Sequence, residues 1–427
     1  MGTMSPRRLR GRSGSMVGGL LIILGLSACD QLIEVDAPSR VLADQLNQPQ
    51  NAALIVNSVG ADFECALSHY IVATSLVGNE LLIGTTLLFM TDYDKRDFNP
   101  VSSAYAAVIC SDPVVGVLVG LYKPVSTARW QADNATRLLE GWSDAEVPER
   151  QRLLATVVNY AGYGLLLLGE AMCTAAIDVG PELTPAQLFQ EAEQRFTKGL
   201  AAAQAANNGE LRSWALVGRA RARARLARFS DAAADAQLVP DGFVKVATYS
   251  GDSPRRENLV WVHNQRSRSV TIDPSYRNLT FGGVPDQRVA VVQGQGSASD
   301  GISPLWISNK YTDNASPIPM ATWIEAKLLI AEAAGGQAAV GIINQLHARA
   351  GLPNFASNDP AAIRSQIVEE RKREFFLDGH HMGDLRQYNI PLTPAPGTPF
   401  YQGGTYQSQS CFPLPNVERL NNPNANR

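Results

Sequence analysis

The residues best equipped for chemistry crowd into one stretch, Ile363 to Tyr388. Glu370, Glu374 and Asp378 recur at i, i+4 and i+8, a spacing that sets their carboxyls on one helix face. Facing carboxyls do acid–base work at glycosidic bonds. Here Arg371, Lys372, Arg373 and Arg386 stand close enough to neutralise them, which favours a structural ion network over catalysis. His380-His381-x-x-Asp384 supplies imidazole and carboxylate, both ordinary zinc ligands. It lacks a third histidine and a His-Glu-x-x-His spacing, so no metal site is expected there.

Asp92-Tyr-Asp94-Lys-Arg-Asp97 has the carboxylate density of a calcium loop. An EF-hand requires glycine at its sixth position and glutamate at its twelfth. Asp97 and Ser103 stand in those places, which favours a solvated loop. Arg219, Arg221, Arg223, Arg225 and Arg228 spread around a helix and are expected to be solvated and ion-paired. No phosphate-loop, dinucleotide or Gly-x-Ser-x-Gly pattern occurs, and no cofactor is expected. A net charge of −3 gives no sign of a nucleic-acid partner.

The best binding candidates are residues of irregular segments: Tyr93, Phe98 and Asn99, then Trp306, Lys310 and Tyr311. Sugar rings present apolar C–H faces that stack on Trp and Tyr, while polar side chains bond the hydroxyls. Such anchors belong on loops carried by a rigid scaffold. Taken one by one, such rings more often simply pack the loops onto the helices.

Several elements must position these groups. Arg7, Arg8, Arg10 and Arg12, followed by the apolar run Val17 to Leu26, read as a secretory signal over residues 1–28. The run is short of the ~20 apolar residues that a bilayer span needs. Leu26-Ser-Ala-Cys29 resembles a bacterial lipobox, which implies cleavage before Cys29 and lipidation of its thiol. Residues 29–40 read as a tether within a single domain spanning 29–427. Outside a reducing cytosol Cys65, Cys110, Cys173 and Cys411 can pair. Two disulfides, or one plus two buried thiols, are both open, and sequence does not choose the connectivity.

Residues 42–238 are rich in alanine and leucine at helical spacing. Helices are expected over Asn51–Cys65, Tyr70–Val77, Ala104–Tyr122, Thr127–Gly141, Pro148–Met172, Pro185–Asn207 and Glu210–Ala227. Thr184-Pro185 marks one start, and Asn207-Asn208-Gly209 one stop. Trp214, Gly218, Phe229, Ala232, Ala236 and Pro240 loosely follow the tetratricopeptide pattern, so degenerate helix pairs are expected to stack. Residues 239–322 turn rich in glycine, proline, serine and asparagine, with β-prone pieces at Leu259–His263, Ser269–Ile272 and Val289–Val292. Their aromatics argue for ordered loops with a few hairpins. Helices resume at Trp323–Ala334 and Ala338–Ala350. In the reactive stretch itself, Gly379 is expected to stop a helix, and His380–Gln387 to form a shorter one. The tail from Thr393 is expected to be irregular. The fold class is therefore mainly α, with long loops and a few short hairpins.

The C-terminal part, residues 323–427, resembles the SusD/RagB family of outer-membrane nutrient-binding lipoproteins. The resemblance rests on Trp323-Ile-Glu-Ala-Lys-Leu-Leu-Ile-Ala-Glu-Ala333, on Ile342-Ile-Asn-Gln-Leu-His-Ala-Arg-Ala-Gly351, and on Glu370-Arg371 and Glu374 through Gly379 to Asp384-Leu-Arg386. Cys411-Phe-Pro-Leu-Pro415 with Asn421-Asn-Pro423 completes it. Asp378, His381, Gly383, Gln387 and Tyr388 depart from the family's usual residues. The resemblance implies a SusD-like domain of tetratricopeptide-like pairs in which Glu370, Arg371, Glu374, Gly379, Asp384 and Arg386 are structural. Asp384 would cap the short helix and Arg386 would pair with a carboxylate. Tyr93, Phe98 and Asn99 lie roughly where relatives place part of their ligand face. It further implies a non-catalytic protein, lipid-anchored in the outer membrane, that delivers an oligosaccharide to a SusC-like TonB-dependent transporter. A peptide ligand, or a scaffold lipoprotein in envelope assembly, are the alternatives.

Overall fold

The computed structural model of the protein describes residues 43–110 and 118–425. The signal peptide, the Cys29 lipidation site and the tether up to residue 40 lie outside the described residues. A short helix, α1, covers Ala43–Leu46. The chain from residue 47 belongs to one compact unit.

That unit grows around α2 (Ala52–Val77), which is apolar on nearly every side and buried along its second half. After α3 (Leu88–Lys95) and α4 (Ala104–Ala107), a series of helices packs each on the next: α5 (Tyr122–Gly141), α6 (Arg150–Ala171), α7 (Pro185–Ala205), α8 (Gly209–Arg225) and α9 (Phe229–Ala236). α6 is long and apolar enough to cross a membrane, but 94% of its apolar window is buried, as befits a core helix. Small residues set the close approach. A Cβ at Gly162 of α6 would lie 2.7 Å from the Phe196 ring of α7, and Gly218 of α8 faces the same ring. The start of α7 is fixed by a capping box: Thr184 accepts from the Gln187 N–H, the Gln187 side chain accepts from the Thr184 N–H, and Pro185 follows the cap.

The strands form two-stranded antiparallel ribbons. β1 (Leu81–Ile83) pairs with β5 (Val270–Ile272), β2 (Ala175–Ala176) with β3 (Glu182–Leu183), and β4 (Val244–Ala247) with β10 (Ile318–Thr322). β6 (Thr280–Phe281) pairs with β7 (Val284–Pro285), and β8 (Val291–Ser297) with β9 (Pro304–Ser308). Between them lies the short α10 (Leu259–Trp261), which runs into a π-turn ending at Arg266. The C-terminal helices are α11 (Trp323–Ala334), α12 (Gly336–Ala350), α13 (Pro360–Glu374), α14 (His381–Gln387) and α15 (Asn416–Asn421).

Two disulfides hold the ends. Cys65–Cys110 ties α2 to the segment after α4, and Cys173–Cys411 ties the end of α6 to the tail across a separation of 238 residues. Main-chain bonds run beside the second: Cys173 N–H donates to Phe412 O, and Phe412 N–H to Ala171 O.

Several expectations need correction. Asn51–Cys65 and Tyr70–Val77 are one continuous helix, because nothing between them breaks it and Ser68 only bonds back to Cys65 O. Of the helix expected over Ala104–Tyr122, the described residues show only Ala104–Ala107, ending where Val108 turns extended. Leu259–His263 is helical rather than β, since the Asn258 side chain accepts from the Val260 and Trp261 N–H groups and starts a turn. The tail carries α15. Gly379 does not stop α13, which ends at Glu374. It sits in the turn beyond, at φ +90°, close against Tyr70 and Ile71.

Candidate ligand-binding face

The charged side chains between Ile363 and Tyr388 are drawn into buried ion pairs. Glu170, near the end of α6 and buried, accepts from Arg221 at 2.6 and 2.9 Å and from Arg225 at 2.7 Å. Arg225 reaches on to Asp384 at 3.0 Å, and Arg371 grips the same carboxylate at 2.9 and 2.8 Å. The chain Arg221–Glu170–Arg225–Asp384–Arg371 thus staples α6, α8, α13 and α14 together. Burial alone would raise the pKa of both carboxyls. The neighbouring guanidiniums more than offset it and hold both below the ordinary range. The arginines of α8 are therefore not mainly solvated: Arg221 and Arg225 are in the core, while Arg219 and Arg223 pair with Asp235.

A second network lies beside the first. Arg288 bonds Asp286, Glu370 and Glu374, His347 bonds Glu370 at 2.8 Å, and Arg349 bonds Glu374 at 2.6 Å. Asp378 lies beyond the end of α13 and pairs with Lys310 and His380. Glu370 and Asp378 are both held below the ordinary carboxylate range, burial being outweighed by His347 and Arg288 in one case and Lys310 and His380 in the other. His380 and His381 point to different partners, since His381 Nε2 meets Gly78 O at 3.0 Å. Two implied roles are corrected. Asp384 pairs with two arginines instead of capping α14, whose start has no side-chain cap. Arg386 donates to the carbonyls of Gly169, Glu170 and Met172, satisfying the end of α6 rather than a carboxylate.

The aromatic candidates divide. Tyr93 and Phe98 are buried, Phe98 stacks on Phe412 at 4.2 Å, and the Tyr93 hydroxyl donates to Val119 O at 2.5 Å. Tyr311 is buried with its hydroxyl donating to Leu377 O, and Lys310 donates to Phe376 O at 2.5 Å. None of these presents a free face. Asn99 is exposed, but its side chain accepts from Val101 N–H and shapes its own turn. Trp306 is half-buried on β9, and the Arg277 guanidinium lies 4.9 Å from its ring centroid. Asp92, Asp94 and Asp97 do not converge either. Asp94 is on α3, buried, and accepts from Ile83 N–H at 2.8 Å, while Asp92 takes the Ser103 hydroxyl and Asp97 meets Lys95.

A different set of residues comes together near these segments. The β1–α3 connection, the tip of the β8–β9 hairpin and the tail loop around Tyr401 are tied edge to edge. Asp300 N–H and the Ser299 hydroxyl donate to Gly84 O at 2.8 and 2.9 Å, and Gln402 donates to Thr85 O at 2.7 Å. A Cβ at Gly84 would lie 2.5 Å from the Ala298 methyl, so only glycine permits this contact. The Tyr401 hydroxyl bonds Ile83 O at 3.1 Å and Asp300 at 3.3 Å, while its ring stays 46% exposed. Around it Leu88 and Ile302 are 79% and 74% exposed. Beneath, Arg96 is fully buried and donates to Gln407 O, Pro394 O and Asn79, which pins the tail to α3. The surface so formed offers an immobilised aromatic face and aliphatic flanks, with the Gln402 amide and the Asp300 carboxylate engaged in holding it. Those are the elements of a binding surface for a polar ring or an extended chain. Sequence reasoning reached its neighbours and missed Tyr401 itself, an aromatic between Gly397 and Gly403 in a tail read as irregular.

The sequence model of the SusD family matches residues 324–418. Among curated proteins none matches the chain. In structure, the chain superposes on a SusD-superfamily protein from Bacteroides vulgatus with a TM-score of 0.64 at 14% identity, covering 88% of this chain and 98% of that one. A SusD-like protein from Bacteroides fragilis gives 0.65 at 12% identity, covering 90% and 98%. A protein described as a laminarin-binding SusD-like protein gives 0.64 at 11%, covering 88% and 98%. Residues 324–418 thus match the SusD family model, in a chain that has the fold of these SusD-like structures.

Proposed function

We propose that this chain is a non-catalytic outer-membrane lipoprotein, anchored through Cys29, that captures a glycan on the three-loop face. It then passes the glycan to a SusC-like TonB-dependent transporter. The observation that supports this best is the exposed ring of Tyr401, immobilised through its hydroxyl and flanked by Gln402 and Asp300, on a SusD-type fold. A protein of the same fold is described as binding laminarin. Calorimetry against a polysaccharide panel that includes laminarin tests it. Tyr401→Ala is expected to weaken binding about tenfold, the worth of a ring contact near 1–1.5 kcal/mol, with unchanged denaturation. If no glycan binds, or if Tyr401→Ala binds as the wild type does, the assignment fails. The exposed Leu87, Leu88 and Ile302 beside the ring favour a second reading, a peptide with apolar side chains. A peptide library that binds where glycans do not would select it.

A further inference from the structure

We infer that the chain carries a second saccharide-binding groove, centred on Trp130 and sharing no lining residue with the three-loop face. An open groove of about 450 Å³ runs between the first turns of α5, the β2–β3 turn and α15, a size common for small-ligand sites. Trp130 is 44% exposed in its wall, and Val179 opposite is 52% exposed. Indole is the largest apolar side chain, and a helix that buries Tyr122, Val125 and Ala128 has left this one uncovered.

The backbone facing Trp130 is held in an unfavourable shape. Asp178 (φ +50°) and Val179 (φ +62°) are successive left-handed residues, a conformation that a β-branched side chain avoids and that surrounding structure must impose. Asn424 donates to Val179 O at 2.8 Å, Asn422 to Gly180 O at 2.7 Å, and Arg129 pairs with Asp178 at 2.9 Å. Arg129 is itself 3% exposed and lines the groove, and its Nε has no hydrogen-bond partner.

The lining selects the ligand. Lys123 and Arg129 balance Asp178 and Glu418, so neither an anion nor a cation is favoured. Mixed donors and acceptors around an exposed indole suit a neutral polyhydroxylated ring, whose hydroxyls both donate and accept while its C–H face stacks. A purely apolar partner would desolvate those charges without adding a hydrogen bond to them.

The test uses the whole soluble domain labelled with 5-fluorotryptophan, the Trp130 fluorine resonance being assigned with Trp130→Phe. D-glucose, D-galactose, D-mannose and a β-1,3-glucan trisaccharide are titrated to about 50 mM, an excess over a millimolar dissociation constant. The Trp130 resonance should shift saturably with at least one sugar, and should do so equally in Tyr401→Ala. Asp178→Ala should weaken that response about fivefold or more. A Trp130 resonance that moves with none of these sugars overturns the proposal. So does a shift that follows protein concentration alone, with a dimer that Trp130→Ala disperses, because a second copy then covers the ring.

Discussion

Replacing Asp384 by alanine isolates the central claim that the charged motif is framework. The carboxylate accepts N–H bonds from Arg371 at 2.9 and 2.8 Å and from Arg225 at 3.0 Å. Both guanidiniums are almost fully buried, with side-chain exposures of 2% and 4%. Arg225 keeps Glu170, but Arg371 loses the one carboxylate within ion-pair distance of it among the described residues, and its Nη1 already lacks a hydrogen-bond partner there. Breaking a buried pair in this way costs about 3–5 kcal/mol, since it strands a desolvated charge. For a unit of this length, residues 47–427, an unfolding entropy of ~2.1 cal/mol/K per residue converts that to a Tm loss of about 5 °C. Urea denaturation should show the same loss in midpoint. Arg371→Met with Asp384→Ala should recover part of it, because the stranded charge is then gone. A single variant within about 1 kcal/mol of wild type that nevertheless loses ligand binding would refute the structural assignment.

Two further outcomes follow from particular residues. Gly379→Val should lower stability by about 2 kcal/mol or more in denaturant unfolding, because its φ of +90° excludes β-branched residues and a Cβ would press on Ile71 at 3.1 Å; an unchanged midpoint would show that the turn relaxes freely. Asp94 has its pKa pushed up from 3.8 to about 7 by burial, against the Ile83 N–H and Arg96, which pull it down. The folded state therefore holds this proton more tightly, so the stability that this one group contributes is full below pH ~4, falls as pH rises towards 7 and is gone above, a loss of about 2–3 kcal/mol between pH 5 and 8. Asp94→Asn keeps an acceptor for Ile83 N–H and should remove that slope, and an unaltered slope would assign it to another group.

Much of the fold was legible because local signals and burial agreed. The Thr184 capping box, the Thr322 cap of α11 and the ends of α11 itself all follow from residues within one turn. What sequence could not give were choices made by distant contacts. Leu259–His263 has the β-branched content of a strand, but Asn258 caps it and its buried face meets α2. Tyr93, Phe98 and Tyr311 look like loop anchors until the tail supplies Phe412 and the turn after α13 supplies Leu377 O. Tyr401 fails in the opposite sense: its placement depends on Ile83 and Asp300, 318 and 101 residues from it in sequence, and no local pattern announces it. The disulfide pairing was undetermined for the same reason.

The frame and the proposed face are connected, which explains why a motif without chemistry of its own tracks this fold. Leu377 N–H donates to Glu80 at 2.9 Å, and Glu80 also takes the Ser75 hydroxyl at 2.7 Å. Glu80 immediately precedes β1, whose far end leads into the Gly84 loop of the proposed face. On the other side, Lys310 and Tyr311 hang from Phe376 O and Leu377 O just after β9, fixing the hairpin whose tip carries Asp300 and Ile302. The turn between α13 and α14 therefore sets the distance between two of the three loops. Residues that fix such a distance tolerate few alternatives, because interiors are close-packed and buried charges must stay paired. Loop residues that meet a ligand are free of that restriction and can follow the ligand instead. A sequence signature confined to residues 324–418, on a fold that matches across nearly the whole chain, is the expected result of that division.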